Sequence, residues 1–262
     1  MKLLVINPNI SQDVSALIAA EAQRSMAPGT QLVMATAASG MEYIETRFES
    51  LLAAPAVAQA MAQTPDADAV VVAAFGDPGL PALKEISGVP VIGITEAALA
   101  AAALMGKCFS IIAISDRITA WYRDCVEYNG YLPRLASIHH LRDKLNSIGS
   151  VAEDFSEKLV ELANQAVHED GADVIILAGA PLAGLAREVA GRIPVPVIDG
   201  IAAGVRFAQS LAAMDTGSHR AGSLTAPPAK PRQGLDPDLD ALISSRQHAV
   251  AAAGTPIAGA HS

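Results

Sequence analysis

The chain has 262 residues, enough for one large domain or two small α/β lobes, and at 51% hydrophobic and 17% charged it can build a sizeable core. Its net charge of −9 argues against a nucleic-acid footprint, and with 4% aromatics the core is expected to be aliphatic and helix-rich. Two cysteines, Cys108 and Cys125, are too few for a secreted disulfide framework.

The opening Met1-Lys2-Leu3-Leu4-Val5-Ile6-Asn7 is too short for a signal peptide and runs directly into a strand-like pattern. The Ala-rich stretch at 97–105 is well below membrane-spanning length. The expectation is a cytoplasmic protein in a reducing setting, with neither membrane nor nucleic acid as a partner.

Strand patterns fall at 3–6, 32–35, 69–73, 91–94, 109–114, 135–138, 174–177 and 195–198. Several are continuously apolar, as parallel strands buried on both faces should be. Helical patterns lie between them at 11–25, 97–105, 118–129, 152–169 and 200–214. This alternation predicts an α/β protein with mostly parallel sheets and helices on both sides.

Asp68-Ala-Val-Val-Val-Ala-Ala74 matches Asp173-Val-Ile-Ile-Leu-Ala-Gly179 at an offset of 105 residues, and the same offset carries Gly79-Leu80 onto Gly184-Leu185. One residue later in register, Val89-Pro-Val-Ile-Gly93 matches Val195-Pro-Val-Ile-Asp199. Chance convergence of two α/β units is the plain alternative, but the shared offset across strand and loop favours duplication. Two similar lobes would then offer the loops at their strand C-termini to a common cleft, where open α/β sheets bind ligands. The expected division is 1–95 plus about 200–214 as lobe one, 96–199 as lobe two, and 215–262 as a Pro/Gly/Ala-rich tail. A mobile linker at 216–233, a short helix at 236–246 and a disordered Ala/Gly end are expected in that tail.

Two strand-to-helix loops are the first candidates for a ligand site. Ala74-Phe-Gly-Asp-Pro-Gly-Leu80 carries Ala74, Phe75 and Gly76, and its repeat partner carries Gly179, Ala180, Pro181 and Leu182. Exposed N–H groups at such turns can hold an anion, and donors are expected around Phe75–Gly76 and Ala180–Leu182. Asp77 reads as a helix N-cap or as a chemical group. Asn9 and Ser11 follow the first strand; one caps the next helix and the other is free to bond a ligand. Ser115 and Arg117 end the fifth strand and offer a hydroxyl and a cation. Glu96 is either a general base or a first-turn helix carboxylate. Tyr43 is either a substrate contact or loop packing. His139-His140 lacks further ligands at metal spacing, so no metal is expected. Cys108 and Cys125 read as buried packing.

The motifs Asn7-Pro-Asn9, Phe75-Gly-Asp-Pro-Gly-Leu80, Val89-Pro-Val-Ile-Gly-Ile with Glu96-Ala-Ala, Asp170-Gly-Ala-Asp173, Leu182-Ala-Gly-Leu-Ala186 and Val195-Pro-Val-Ile-Asp-Gly200 occur in one order. Together they resemble the hydantoin/allantoin racemase branch of the aspartate/glutamate racemase superfamily, over about residues 1–214. The resemblance implies two flavodoxin-like lobes related by a pseudo-twofold, a site in the cleft between them, a small-molecule substrate, no cofactor and a homo-oligomer. It also implies catalysis by two cysteines, one on each face of the reacting carbon. The matching positions here are Ala74 and Gly179, so the two-cysteine mechanism is not expected. The departures at Gly179-Ala-Pro point to natural divergence. Acid/base work would pass to Glu96, Asp77 or Tyr43, on a small carbonyl, carboxylate or ureide compound. The alternatives are a cysteine-less lyase or hydrolase of the same fold, or a non-catalytic binding protein.

Overall fold

The computed structural model describes residues 1–218 and 221–254. Two four-stranded sheets follow one another along the chain, and every strand pairing is parallel. The first holds β1 (Lys2–Asn7), β2 (Gln31–Thr36), β3 (Ala69–Val72) and β4 (Val91–Gly93), in the order β2-β1-β3-β4. The second holds β5 (Phe109–Ala113), β6 (Leu135–His140), β7 (Val174–Leu177) and β8 (Val197–Asp199), in the order β6-β5-β7-β8. The order repeats, as the internal sequence repeat requires.

The central strands β1, β3, β5 and β7 are buried almost throughout, which explains their unbroken apolar runs. Around them lie α1 (Gln12–Ser25), α2 (Arg47–Ala62), α3 (Leu80–Ile86), α4 (Ile94–Met105), α5 (Thr119–Tyr128), α6 (Val151–Asp170), α7 (Leu185–Glu188) and α8 (Gly200–Ala213). Helix α4 follows β4 yet packs against β7 and β8, while α8 follows β8 yet packs against β3 and β4. The two helices also pack on each other. Gly204 permits this approach: a Cβ there would stand 3.2 Å from both Ile94 Cγ2 and Val71 Cγ1. One apolar cluster therefore runs through both halves, from Val71 and Ile94 to Ile111, Ile176 and Val205. A second cluster lies behind the first sheet, where α2 covers Leu4, Ile6, Val70 and Val72.

Helix α2 has no counterpart among the helices expected from sequence. Its start is a capping box, with Thr46 accepting from the Glu49 N–H and the Glu49 carboxylate accepting from the Thr46 N–H. The tail helix α9 (Pro237–Gly254) runs well beyond the expected 236–246 and packs on α2 and α3, with Leu242 against the second cluster. It is anchored by an Asp236 carboxylate that accepts from Gln59 Nε2 at 3.1 Å. The Ala/Gly end expected to be disordered is helical as far as Gly254, in the last turns of α9, and beyond that lies outside the described residues. Among the described residues, no helix is long and apolar enough to cross a membrane.

Candidate functional site

The matched loops leave equivalent central strands at equivalent points, Ala74 two residues after β3 and Gly179 two residues after β7. An aromatic bridge joins them. The Phe75 and Tyr122 rings lie 4.5 Å apart between centroids, and the Tyr122 hydroxyl stands 3.9 Å from where a Cβ on Gly179 would be. Trp121 packs beside Tyr122 at 5.7 Å and closes over Gly76, where a Cβ would meet the Trp121 ring at 2.0 Å. Glycine is therefore required at 76 both by space and by its φ of +106°.

Backbone donors at the loops are only partly free. The Gly76 N–H donates to Thr95 Oγ1 at 2.6 Å, and the Leu182 N–H donates to the Gly179 carbonyl at 3.0 Å. These two are spent on the loops themselves, contrary to the expectation of free donors at those positions. The Phe75 and Ala180 N–H groups have no partner among the described residues.

Asp77 occupies the left-handed region at φ 47° and sends its carboxylate past α3 to the start of α4. One oxygen accepts from the Thr95 N–H and the other from the Glu96 N–H, both at 2.9 Å. Both oxygens thus cap α4. Burial pushes this carboxyl up to about 7, against the opposing pull of the two N–H groups. The second half achieves the same cap differently. There Asp199 accepts from the Ile201 and Ala202 N–H groups at 2.8 and 3.1 Å, and also from the Gly184 N–H at 2.6 Å. Gly93 is the repeat partner of Asp199, and a Cβ on Gly93 would lie 2.1 Å from the Asp77 Cγ. One carboxylate fills each equivalent space, supplied by the loop in one half and by the strand end in the other. Burial raises Asp199 as well.

Glu96 lines a cavity together with Gly76, Asp77 and Trp121. It is held by Lys84 Nζ at 2.7 and 2.8 Å and accepts from the Gly93 N–H at 3.3 Å. Ser11 caps α1, accepting from the Val14 N–H at 3.3 Å. Asn9 uses Oδ1 to accept from Asn7 Nδ2 and the Ser11 N–H, at 2.8 and 2.9 Å, while its Nδ2 has no partner among the described residues. A cleft of about 660 Å³ opens at the rim of the sheets, lined by Tyr43, Glu45, Ser115, Asp116, Arg142 and Lys144 among others. Burial, followed by the Glu45 carboxylate, holds the Tyr43 hydroxyl above the usual phenol range, and Ser115 bonds it as well. The Arg117 side chain is exposed and makes no bond among the described residues, while its N–H donates to Ser115 Oγ at 3.2 Å.

Both cysteines are half-buried rather than fully packed. Cys108 Sγ bonds the Gly171 carbonyl at 3.1 Å. Cys125 borders the cavity that Glu96 lines, behind the Gly76–Asp77 turn, and burial pushes its thiol up to about 12. His139 pairs with Asp170 at 2.6 Å. Sequence reasoning passed over Tyr122, which lies within a helix and carries no loop signature. The pairing of Ala74 and Gly179 by the repeat was the available signal, because whatever lies between two matched loops is a site candidate.

Comparison with known proteins gives a consistent picture. The sequence profile of the family described as Asp/Glu/Hydantoin racemase matches residues 3–208. The chain is 38% identical over 239 residues to a hydantoin racemase of Paenarthrobacter aurescens, covering 88% of this chain and 99% of that protein. The structure of allantoin racemase from Klebsiella pneumoniae superposes with a TM-score of 0.86 at 32% identity, over 91% of this chain and 98% of that one. That of allantoin racemase from Pseudomonas fluorescens gives 0.83 at 34% identity, over 89% and 100%.

Proposed function

Because the chain belongs to the Asp/Glu/Hydantoin racemase family, we propose that it acts without a cofactor on a small carbonyl, carboxylate or ureide compound held where its two matched loops meet. The observation that carries this reading is the Phe75–Tyr122–Gly179 contact, which brings the two loops together. The compound's carbonyl would accept from the Phe75 and Ala180 N–H groups, which then stabilise the oxyanion as a proton leaves the neighbouring carbon. Asn9, Ser11 and Ser115 line its approach, with Ala74, Gly76, Pro181 and Leu182 shaping the walls.

Ala74 and Gly179 have no proton to exchange, and each missing acid/base group costs about 10²–10⁴ in rate. In this reading water takes the proton from the carbon and returns one, while Tyr122 at the Gly179 wall and Tyr43 at the rim, kept protonated by burial, donate hydrogen bonds to the developing oxyanion. Asp77 and Glu96 act as positioning residues, one capping α4 and the other tied to Lys84. The setting we infer is the cytoplasm, and the assembly a homo-oligomer.

A second reading, a binding protein that has lost the chemistry, is favoured by the absence of an acid or base at both 74 and 179. Incubating the purified protein with single enantiomers of hydantoins and allantoin in D₂O, and following optical rotation and mass, separates the two. Exchange of the α-hydrogen, reduced about 10²-fold in Tyr122→Phe, supports the enzyme. A mass change beyond that single deuterium, by loss of a fragment or addition of water, identifies a lyase or hydrolase. Saturable binding with neither change supports the binding protein, and no binding at all overturns both.

A further inference from the structure

We propose that the cleft beside Tyr43 and Ser115 receives a carboxylate carried by the substrate, so that the natural ligand is an acidic ureide rather than an alkyl or aryl hydantoin. The inference deepens the reading above and rests on it. The cleft is lined by Arg142 and Lys144, from the segment after β6, and by Glu45 and Asp116 from other loops. Charge pairing inside the cleft is incomplete. Asp143, between the two cations, is already held by Lys158 Nζ at 2.5 Å. Glu45 is engaged with the Tyr43 hydroxyl. Arg142 and Lys144 have no hydrogen bond or ion pair among the described residues, and neither does the Asp116 side chain.

A ligand that fits must offer an anion to the two cations and an N–H donor to Asp116. A ureide bearing a carboxylate does both, and bonds between ionised partners are the stronger kind. An apolar substituent would desolvate the cations without replacing their water. The chemistry thus selects a carboxylate and disfavours a phenyl or alkyl group of similar size.

The test is titration calorimetry of the full chain with carboxymethyl-hydantoin, its neutral carbamoylmethyl analogue and benzylhydantoin. The carboxylate should bind about tenfold more tightly than the amide, with benzylhydantoin weakest. Arg142 and Lys144 are exposed, so the paired substitution Arg142→Ala, Lys144→Ala should fold normally. It should weaken the carboxylate alone, to within about twofold of the amide. Equal binding of all three, tightest binding of benzylhydantoin, or a preference that survives the paired substitution overturns the subsite and leaves the proposed function standing. A carboxylate preference without α-hydrogen exchange supports the subsite while removing the enzyme reading. Failure of all three to bind overturns both.

Discussion

At single residues, the two positions where the resemblance places cysteines are not alike. Ala74 has a Cβ and an ordinary backbone, so Ala74→Cys adds one sulfur to an existing side chain. Gly179 stands at φ +116°, and a Cβ there would have Pro181 Cδ at 3.5 Å and the Tyr122 hydroxyl at 3.9 Å. The neighbours leave room, but the backbone does not suit an L side chain. Gly179→Cys should lose about 1–2 kcal/mol of stability, read as a lowered urea midpoint, while Ala74→Cys stays close to the parent. Equal midpoints would mean that the Gly179 backbone relaxes freely. The repeat made the equivalence of Ala74 and Gly179 visible in the sequence, since it depends on matched residues. The Tyr122 hydroxyl at the second position was not visible, because only the path of α5 brings it there.

Helix starts show how one structural need is met from two places in the chain. Helices α4 and α8 begin at equivalent strand ends, and each has its first N–H groups bonded by one buried carboxylate, Asp77 or Asp199. Asp77→Ala removes both bonds, and a cost of about 1–2 kcal/mol is expected. Asp77→Asn tests the charge. The folded protein holds this proton up to about pH 7, whereas the free group releases it near 3.8. The folded state therefore binds more protons between those values. The stability this group contributes is present in full below about pH 4 and lost as the pH rises to about 7. Asn cannot ionise, so denaturation of Asp77→Asn across that window should lack this downward slope. Element order was readable because buried parallel strands leave continuous apolar runs. Helix α2 was not, since Pro55 interrupts the pattern that Thr46 and Glu49 begin. The helix tolerates Pro55 because packing on the first sheet, and under α9, outweighs the lost backbone bond.

In the molecule as a whole, the halves are joined by the crossed helices α4 and α8 and by one buried carboxylate. Glu21, 1% exposed on α1, accepts from Arg187 on α7 at 2.7 Å, from Ser25 Oγ at 2.8 Å and from Arg24 Nε at 3.1 Å. Arg187 follows β7 of the second sheet, so this bond crosses between the halves. Sequence spacing could not reveal it, because the partners are 166 residues apart. Burial alone would raise the Glu21 carboxyl, but the bonds from Arg187, Ser25 and Arg24 outweigh it and hold the group below its usual 4.5. The sign is opposite to that of Asp77: the Glu21 contribution is present above about pH 4.5 and lost as the pH falls below it. The Arg187 side chain is 56% exposed, so solvent screens the pair. Arg187→Met should therefore cost about 1 kcal/mol at pH 6, and the cost should shrink as acid protonates Glu21. Glu21→Gln should remove most of the acid-side loss, because no charge remains to be neutralised. Urea denaturation of the parent and both variants at pH 6 and pH 3.5 checks this, and an Arg187→Met penalty unchanged between the two would show that the ion pair does not join the halves energetically.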